Sequence, residues 1–318
     1  MKYSVPSYAF RARARAAMKP VMSVLLVVAL IASLPSILAS ALTTLTGASP
    51  EQVLTDFSNR SMQVTEKYGL DASTDELPEG IDENALAADV ISVYDAFYTE
   101  SETFVREKGP IALALALMTL LLAPVLTLGF ISALLHALRR QEFTVSIVFS
   151  RLRIYPKALG LTLLVAAKYL LWMLPGVALM VLSFFLPAEA ALLVMLLSMA
   201  VMIVPLVPAV YRYAMATYIL ADTPETGVLD CVRRSKEIMK GRKLELFSLE
   251  LSFIGWSLLL SYVQLMLDGL LGPVLGMTLG QFAALLLTVY TNCAIAAFYQ
   301  EYAVGPLPTG EPAAEMTE

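Results

Sequence analysis

Apolar residues in this chain gather into six long runs, at 21–45, 110–138, 158–186, 190–213, 247–267 and 277–299, separated by polar stretches of very unequal length. A hydrocarbon layer ~30 Å thick is crossed by about 20 helical residues at 1.5 Å each, so every run is long enough to span it. Helix is the state the surroundings dictate: in lipid each backbone N–H and C=O needs an internal partner, and an α-helix supplies one segment by segment. The short alternating strands of a membrane β-barrel are absent from the pattern. The prediction is an all-α, polytopic membrane bundle of six transmembrane helices.

The polar stretches divide by charge. Lys2, Arg11, Arg13, Arg15 and Lys19 lie in residues 1–20; Arg139, Arg140, Arg151, Arg153 and Lys157 lie in 139–157. Arg233, Arg234, Lys236, Lys240, Arg242 and Lys243 lie in 214–246, whereas the short gaps after the third and fifth runs hold no basic residue. Basic connectors stay on the cytoplasmic side, so both termini, the acidic tail 300–318 included, are expected in the cytoplasm. Ala39-Ser40-Ala41 has the look of a signal-peptidase site. The run before it is longer than the usual 7–15 residues of a cleavable signal, and a retained anchor is expected.

Residues 46–109 are then extracytoplasmic, with fourteen acidic residues against four basic. Ser49-Pro50-Glu51 has the hydroxyl, first-turn proline and acid of a helix start, and Val53, Leu54, Phe57, Val64 and Tyr68 recur at helical spacing. A second helix is expected from Asp82, with Leu86, Val90, Tyr94 and Phe97 along one side, giving an amphipathic helical hairpin. The acids between, Asp75, Glu76, Glu79, Asp82 and Glu83, are of the type that suits a hard cation such as Ca²⁺, but EF-hand spacing is missing. A solvated acidic turn, or a docking surface for another extracytoplasmic protein, is the plainer reading.

In 214–246, Thr223-Pro224-Glu225 reads as a helix start and Gly241 as its left-handed end. Val228, Leu229, Val232 and Met239 would face the membrane, leaving Arg233, Arg234, Lys236, Lys240, Arg242 and Lys243 as candidate contacts for anionic lipid headgroups. Asp222, Glu225, Asp230 and Glu237 dilute that patch, so fixing topology is an equally good use of the charges.

A resemblance rests on Tyr213, Ala221-Asp222-Thr223-Pro224, Arg234-Ser235-Lys236, Met239-Lys240-Gly241-Arg242-Lys243, Phe247 and Leu251-Ser252-Phe253-Ile254-Gly255-Trp256. Together these are similar to the bacterial integral membrane family called domain of unknown function 975. Arg13-Ala14-Arg15, Leu171-Trp172-Met173-Leu174-Pro175-Gly176 and Ala297-Phe298-Tyr299 resemble its opening, its third span and its last span. The resemblance implies a multi-spanning membrane protein without an established activity, and it brings no catalytic residue.

Two features inside the spans point to candidate sites. Pro35, Pro124, Pro175, Pro205 and Pro208 interrupt four of them; Pro175 with Gly176, and Pro205 with Pro208, are the candidate helix breaks, of the sort that expose backbone to substrate in transporters. Lys168, Arg212 and Glu250 form a candidate intramembrane polar cluster, with Glu250 pairing to either cation, because charge within the bilayer is costly and tends to serve function. The bland alternative is a lysine snorkelling to the headgroups beside two span ends.

Enzyme signatures are missing: there is one histidine, His136, no phosphate-cradling glycine loop and no nucleophile elbow. Cys231 and Cys293 fall at different levels and are not expected to pair. No cofactor, metal or nucleic-acid partner is expected. The chain reads as a non-enzymatic, membrane-embedded scaffold or accessory subunit, with a small-molecule transporter or exporter working near the third and fourth spans as the alternative.

Overall fold

The computed structural model describes residues 5–47, 49–70, 78, 80–183 and 185–305. Among them every regular element is helical: α1 (Ser7–Met18), α2 (Met22–Thr46), α3 (Pro50–Tyr68), α4 (Glu83–Glu107), α5 (Gly109–Leu138), α6 (Tyr155–Ser183), α7 (Ala188–Tyr213), α8 (Ala216–Asp222), α9 (Val228–Ile238), α10 (Lys243–Leu271) and α11 (Pro273–Tyr299). Six helical stretches are long and apolar enough to cross a membrane, one for each apolar run. The chain divides into two compact units, residues 34–122 and the remainder.

The smaller unit contains the helical hairpin. Pro50 opens α3 with Glu51 in its first turn, and Gly69 closes it at φ 59°, the left-handed conformation that glycine reaches without a Cβ penalty. The Ser49 hydroxyl makes no capping bond. Asp82 does cap α4, accepting from the Asn84 and Ala85 amides at 3.0 and 3.2 Å. Phe57 of α3 packs on Tyr94 and Phe97 of α4 with ring centroids 5.6 and 4.8 Å apart. Arg60 pairs with Glu100, and Asp89 takes both Lys67 and the Tyr68 hydroxyl. Those hydrogen bonds hold the Asp89 carboxyl below its ordinary range and Lys67 above its own. Of the acids weighed above for a hard cation, Asp75, Glu76 and Glu79 lie outside the described residues.

The larger unit buries its core toward the ends of the helices that carry the basic residues. Phe10, Leu25, Leu134, Ile219, Met239 and Phe298 are among its fully enclosed side chains. Leu171, Leu174, Leu193 and Val204, by contrast, are exposed on α6 and α7, as suits faces bathed in lipid chains that are as apolar as leucine.

Three departures from the sequence reading have local causes. Residues 1–20 are more than a basic tail, because α1 inserts Phe10, Ala14 and Met18 into the core. The helix expected from Pro224 begins instead at Val228, with Gly227 as its N-cap. The Pro224 and Glu225 carbonyls are turned toward Lys157 Nζ, at 2.8 and 3.1 Å, which holds that stretch as a turn. Lastly, Val232 and Met239 do not face a membrane; they are buried with Cys231 and Ser235 against the rest of the unit, and Leu229 alone of the expected face remains exposed. Gly241 does end this segment in the left-handed region, at φ 80°.

α6 and α7 run on as α-helix through the candidate breaks Pro175, Gly176, Pro205 and Pro208. Gly176 has a packing reason instead. A Cβ there would fall 2.9 Å from Met202 Cβ and Cγ and from the Ser198 carbonyl oxygen, so its absence lets α6 and α7 approach closely, as small residues do between membrane helices.

Candidate functional site at the basic end of the bundle

The best-connected polar cluster joins elements far apart in sequence. Arg139, the residue after α5, forms a two-pronged ion pair with Asp222 at the end of α8, at 2.7 and 3.0 Å. Its Nε donates to Gln300 Oε1 at 2.9 Å, while the Tyr299 hydroxyl donates to Asp222 Oδ2 at 3.2 Å. The planar guanidinium matches a carboxylate fork, which fixes geometry as well as charge. Bonding to Asp222 holds Arg139 above its ordinary pKa although burial works the other way. Both carboxylate oxygens are engaged, which makes the pair a strut between α5, α8 and α11.

Ser132 extends the cluster. Its hydroxyl donates to the Ala221 carbonyl at 3.3 Å and accepts from Arg151 Nε at 2.9 Å, while its carbonyl meets His136 Nδ1 at 2.8 Å. His136 therefore belongs to helix-end packing, with Phe143 edge-on at 6.4 Å.

A second network ties α1, and Val5 just ahead of it, to the Gln300–Val304 turn that follows α11. Arg13 pairs with Glu301 at 2.6 Å. The Tyr302 hydroxyl accepts from the Val5 amide at 3.1 Å and donates to Glu245 at 2.6 Å. Arg242 stacks on the Tyr302 ring at 4.2 Å, and its Nε is enclosed without a hydrogen-bond partner among the described residues. Arg242 is thus drawn inward, whereas Arg233, Arg234, Lys236 and Lys240 are exposed and Lys243 is half-buried at the start of α10. Lys236 Nζ also lies 5.8 Å from the Tyr213 ring.

The intramembrane trio is not brought together as an ion pair. Glu250 accepts from the Tyr211 hydroxyl at 2.7 Å, and no ion pair links it to Lys168 or Arg212 among the described residues. The Arg212 carbonyl, rather than its side chain, has an assigned task, accepting from Ser235 Oγ at 3.0 Å. Tyr211→Phe and Glu250→Gln are each expected to cost about 1 kcal/mol, the net worth of one hydrogen bond. Thermal unfolding in detergent checks this, and the double variant should lose little more than either single one.

These observations define a multi-pass, all-α membrane protein whose helices are strapped together by polar contacts at their basic ends. The chain belongs to the family described as protein of unknown function DUF975, which matches residues 83–303. That match takes in α4 and everything from α5 to α11, leaving α1 to α3, and with them Arg13-Ala14-Arg15, outside. No curated protein and no solved structure matches the chain.

Proposed function

We propose that this protein is a membrane-embedded scaffold or accessory subunit of a bacterial plasma membrane, with its basic connectors cytoplasmic and its hairpin on the outer side. The observation that carries this reading is a stripe on α4. Ala87, Ile91, Tyr94, Tyr98, Ser101 and Val105 repeat at alternating steps of four and three, the spacing that keeps one helix face against a partner helix. Ile91, Tyr98 and Val105 are each about two-thirds exposed (66%, 68% and 68%), an apolar seam that water does not favour.

Asp95 and Glu102 flank the seam and are exposed. Like charges would oppose a second copy, so the complementary occupant is another protein presenting an amphipathic helix with basic flanks. Against the transporter reading stands the close contact of Gly176 with Met202 and Ser198, which fills the space between α6 and α7. The exposed cations on α9 suit anionic headgroups and hold the connector at the inner leaflet.

A photo-crosslinker at Tyr98 in native membranes tests the scaffold reading. One discrete protein adduct is expected, lost with Ile91→Lys and weakened by raised salt. An adduct that Ile91→Lys leaves unchanged, or adducts to the same chain alone, would overturn it.

A further inference from the structure

A cleft of about 860 Å³ opens between the Lys19–Val21 turn and the chain just beyond α5, within the size range of small-molecule sites. It straddles the level where two membrane helices end: α2 begins at Met22, and α5 finishes at Leu138. Val21, Ala137 and Phe143 supply apolar wall, and Arg140, Glu142 and Thr144 supply polar rim. Arg140 and Glu142 are both exposed, and neither forms an ion pair among the described residues.

Arg140 is unusual in its backbone. Its φ is 54°, the single positive value at a non-glycine among the described residues. Its amide bonds to the Ala137 carbonyl at 3.2 Å, and the Gln141 amide bonds to that of His136 at 2.9 Å. This is the double closure of a helix end in which glycine, or else asparagine, normally takes the left-handed position. A residue with a long side chain is disfavoured there, so the helix end tolerates strain at the one position where a guanidinium reaches the cleft rim. Strain retained beside a cavity is a pointer to binding.

We infer that this cleft holds the headgroup of a phospholipid carrying a primary ammonium, of the phosphoethanolamine class. Arg140 takes the phosphate, Glu142 takes the ammonium, and Val21, Ala137 and Phe143 meet the first apolar atoms below. Arginine suits phosphate through its planar donors, and a carboxylate needs N–H donors, which a quaternary choline lacks. A headgroup of net negative charge would meet Glu142 unfavourably. The inference does not depend on the scaffold reading.

The test uses the full chain, delipidated in mild detergent, with thermal unfolding and native mass spectrometry as readouts. Dioleoyl phosphatidylethanolamine is expected to raise the unfolding temperature and remain bound. The matched phosphatidylcholine and phosphatidylglycerol should act on the order of tenfold more weakly, the effect of one lost charged contact. Arg140→Gly should unfold at the same or a higher temperature without lipid, since the strain is gone, yet lose the phosphatidylethanolamine response. Arg140→Asn, which also accepts the left-handed backbone, should do the same and guards against a folding defect in the glycine variant. Glu142→Gln should abolish the preference over phosphatidylcholine. Equal stabilisation by all three lipids, a response retained by both Arg140 variants, or a stronger response to phosphatidylglycerol would overturn the inference. Soluble phosphoethanolamine binding as tightly as the lipid would overturn the assignment to a membrane source.

Discussion

Gly129→Ala is expected to reduce folded protein sharply, with a stability loss of about 3 kcal/mol or more, at the upper end of overpacking costs. An added Cβ would lie 2.2 Å from the Val148 carbonyl oxygen and 2.6 Å from Val148 Cα. Both are backbone atoms, so no side chain can swing aside. The gain in helix propensity from glycine to alanine is only about 1 kcal/mol and does not offset the clash. Gly176→Ala meets Met202 Cβ and Cγ and the Ser198 carbonyl oxygen at 2.9 Å, a less severe approach than at Gly129, so a smaller loss, about 1–2 kcal/mol, is expected there. Gly255→Ala is the control, because nothing lies within 4 Å of its added atom, and it should be neutral or slightly stabilising. Fluorescence-detected size exclusion with a heating series ranks the three. Gly129→Ala melting with the unaltered chain would mean that the 145–149 turn does not pack on α5 as described.

The second large effect concerns Asp222. Asp222→Asn keeps the side chain's size but leaves Arg139 without its counter-charge, in a position where the two side chains are only 24% and 13% exposed. Breaking one side of an enclosed ion pair costs roughly 3–5 kcal/mol; residual exposure lowers the expectation to about 2–4 kcal/mol. Arg139→Met should cost a similar amount, since Asp222 would then hold only the Tyr299 hydroxyl. Together the two changes should cost clearly less than their sum, because each alone leaves an unmatched charge. Additive losses in thermal unfolding would show that the pair is not the strut.

What the sequence conveyed follows from which forces act locally. Long apolar runs need no partner to be read, since lipid is a uniform solvent, and the hairpin helices announce themselves through Pro50, Asp82 and their spacing. The Arg139–Asp222 pair was invisible for the opposite reason: its members lie 83 residues apart, and each reads alone as a connector charge. A signal existed in Asp222, a lone acid closing the apolar Tyr218-Ile219-Leu220-Ala221 stretch, but nothing local names its partner. The face of α9 was misjudged because an amphipathic helix records that one side avoids water, not whether lipid or protein covers it. Arg140 could not be read at all, since residue type argues against the backbone it adopts.

The seating of α1 has a consequence for how the molecule is made. Cys293 lies against the Ala14 carbonyl at 3.9 Å, and Arg13 reaches Glu301 across 288 positions of chain. Synthesis runs from the amino terminus, so α1 emerges well before α11 and must wait for it before its groove exists. Phe10, Ala14 and Met18 stay uncovered through that interval, a hazard typical of topologies closed by distant contacts. Nascent chains halted before residue 290 should therefore leave α1 open to proteases that cannot touch it once elongation has finished.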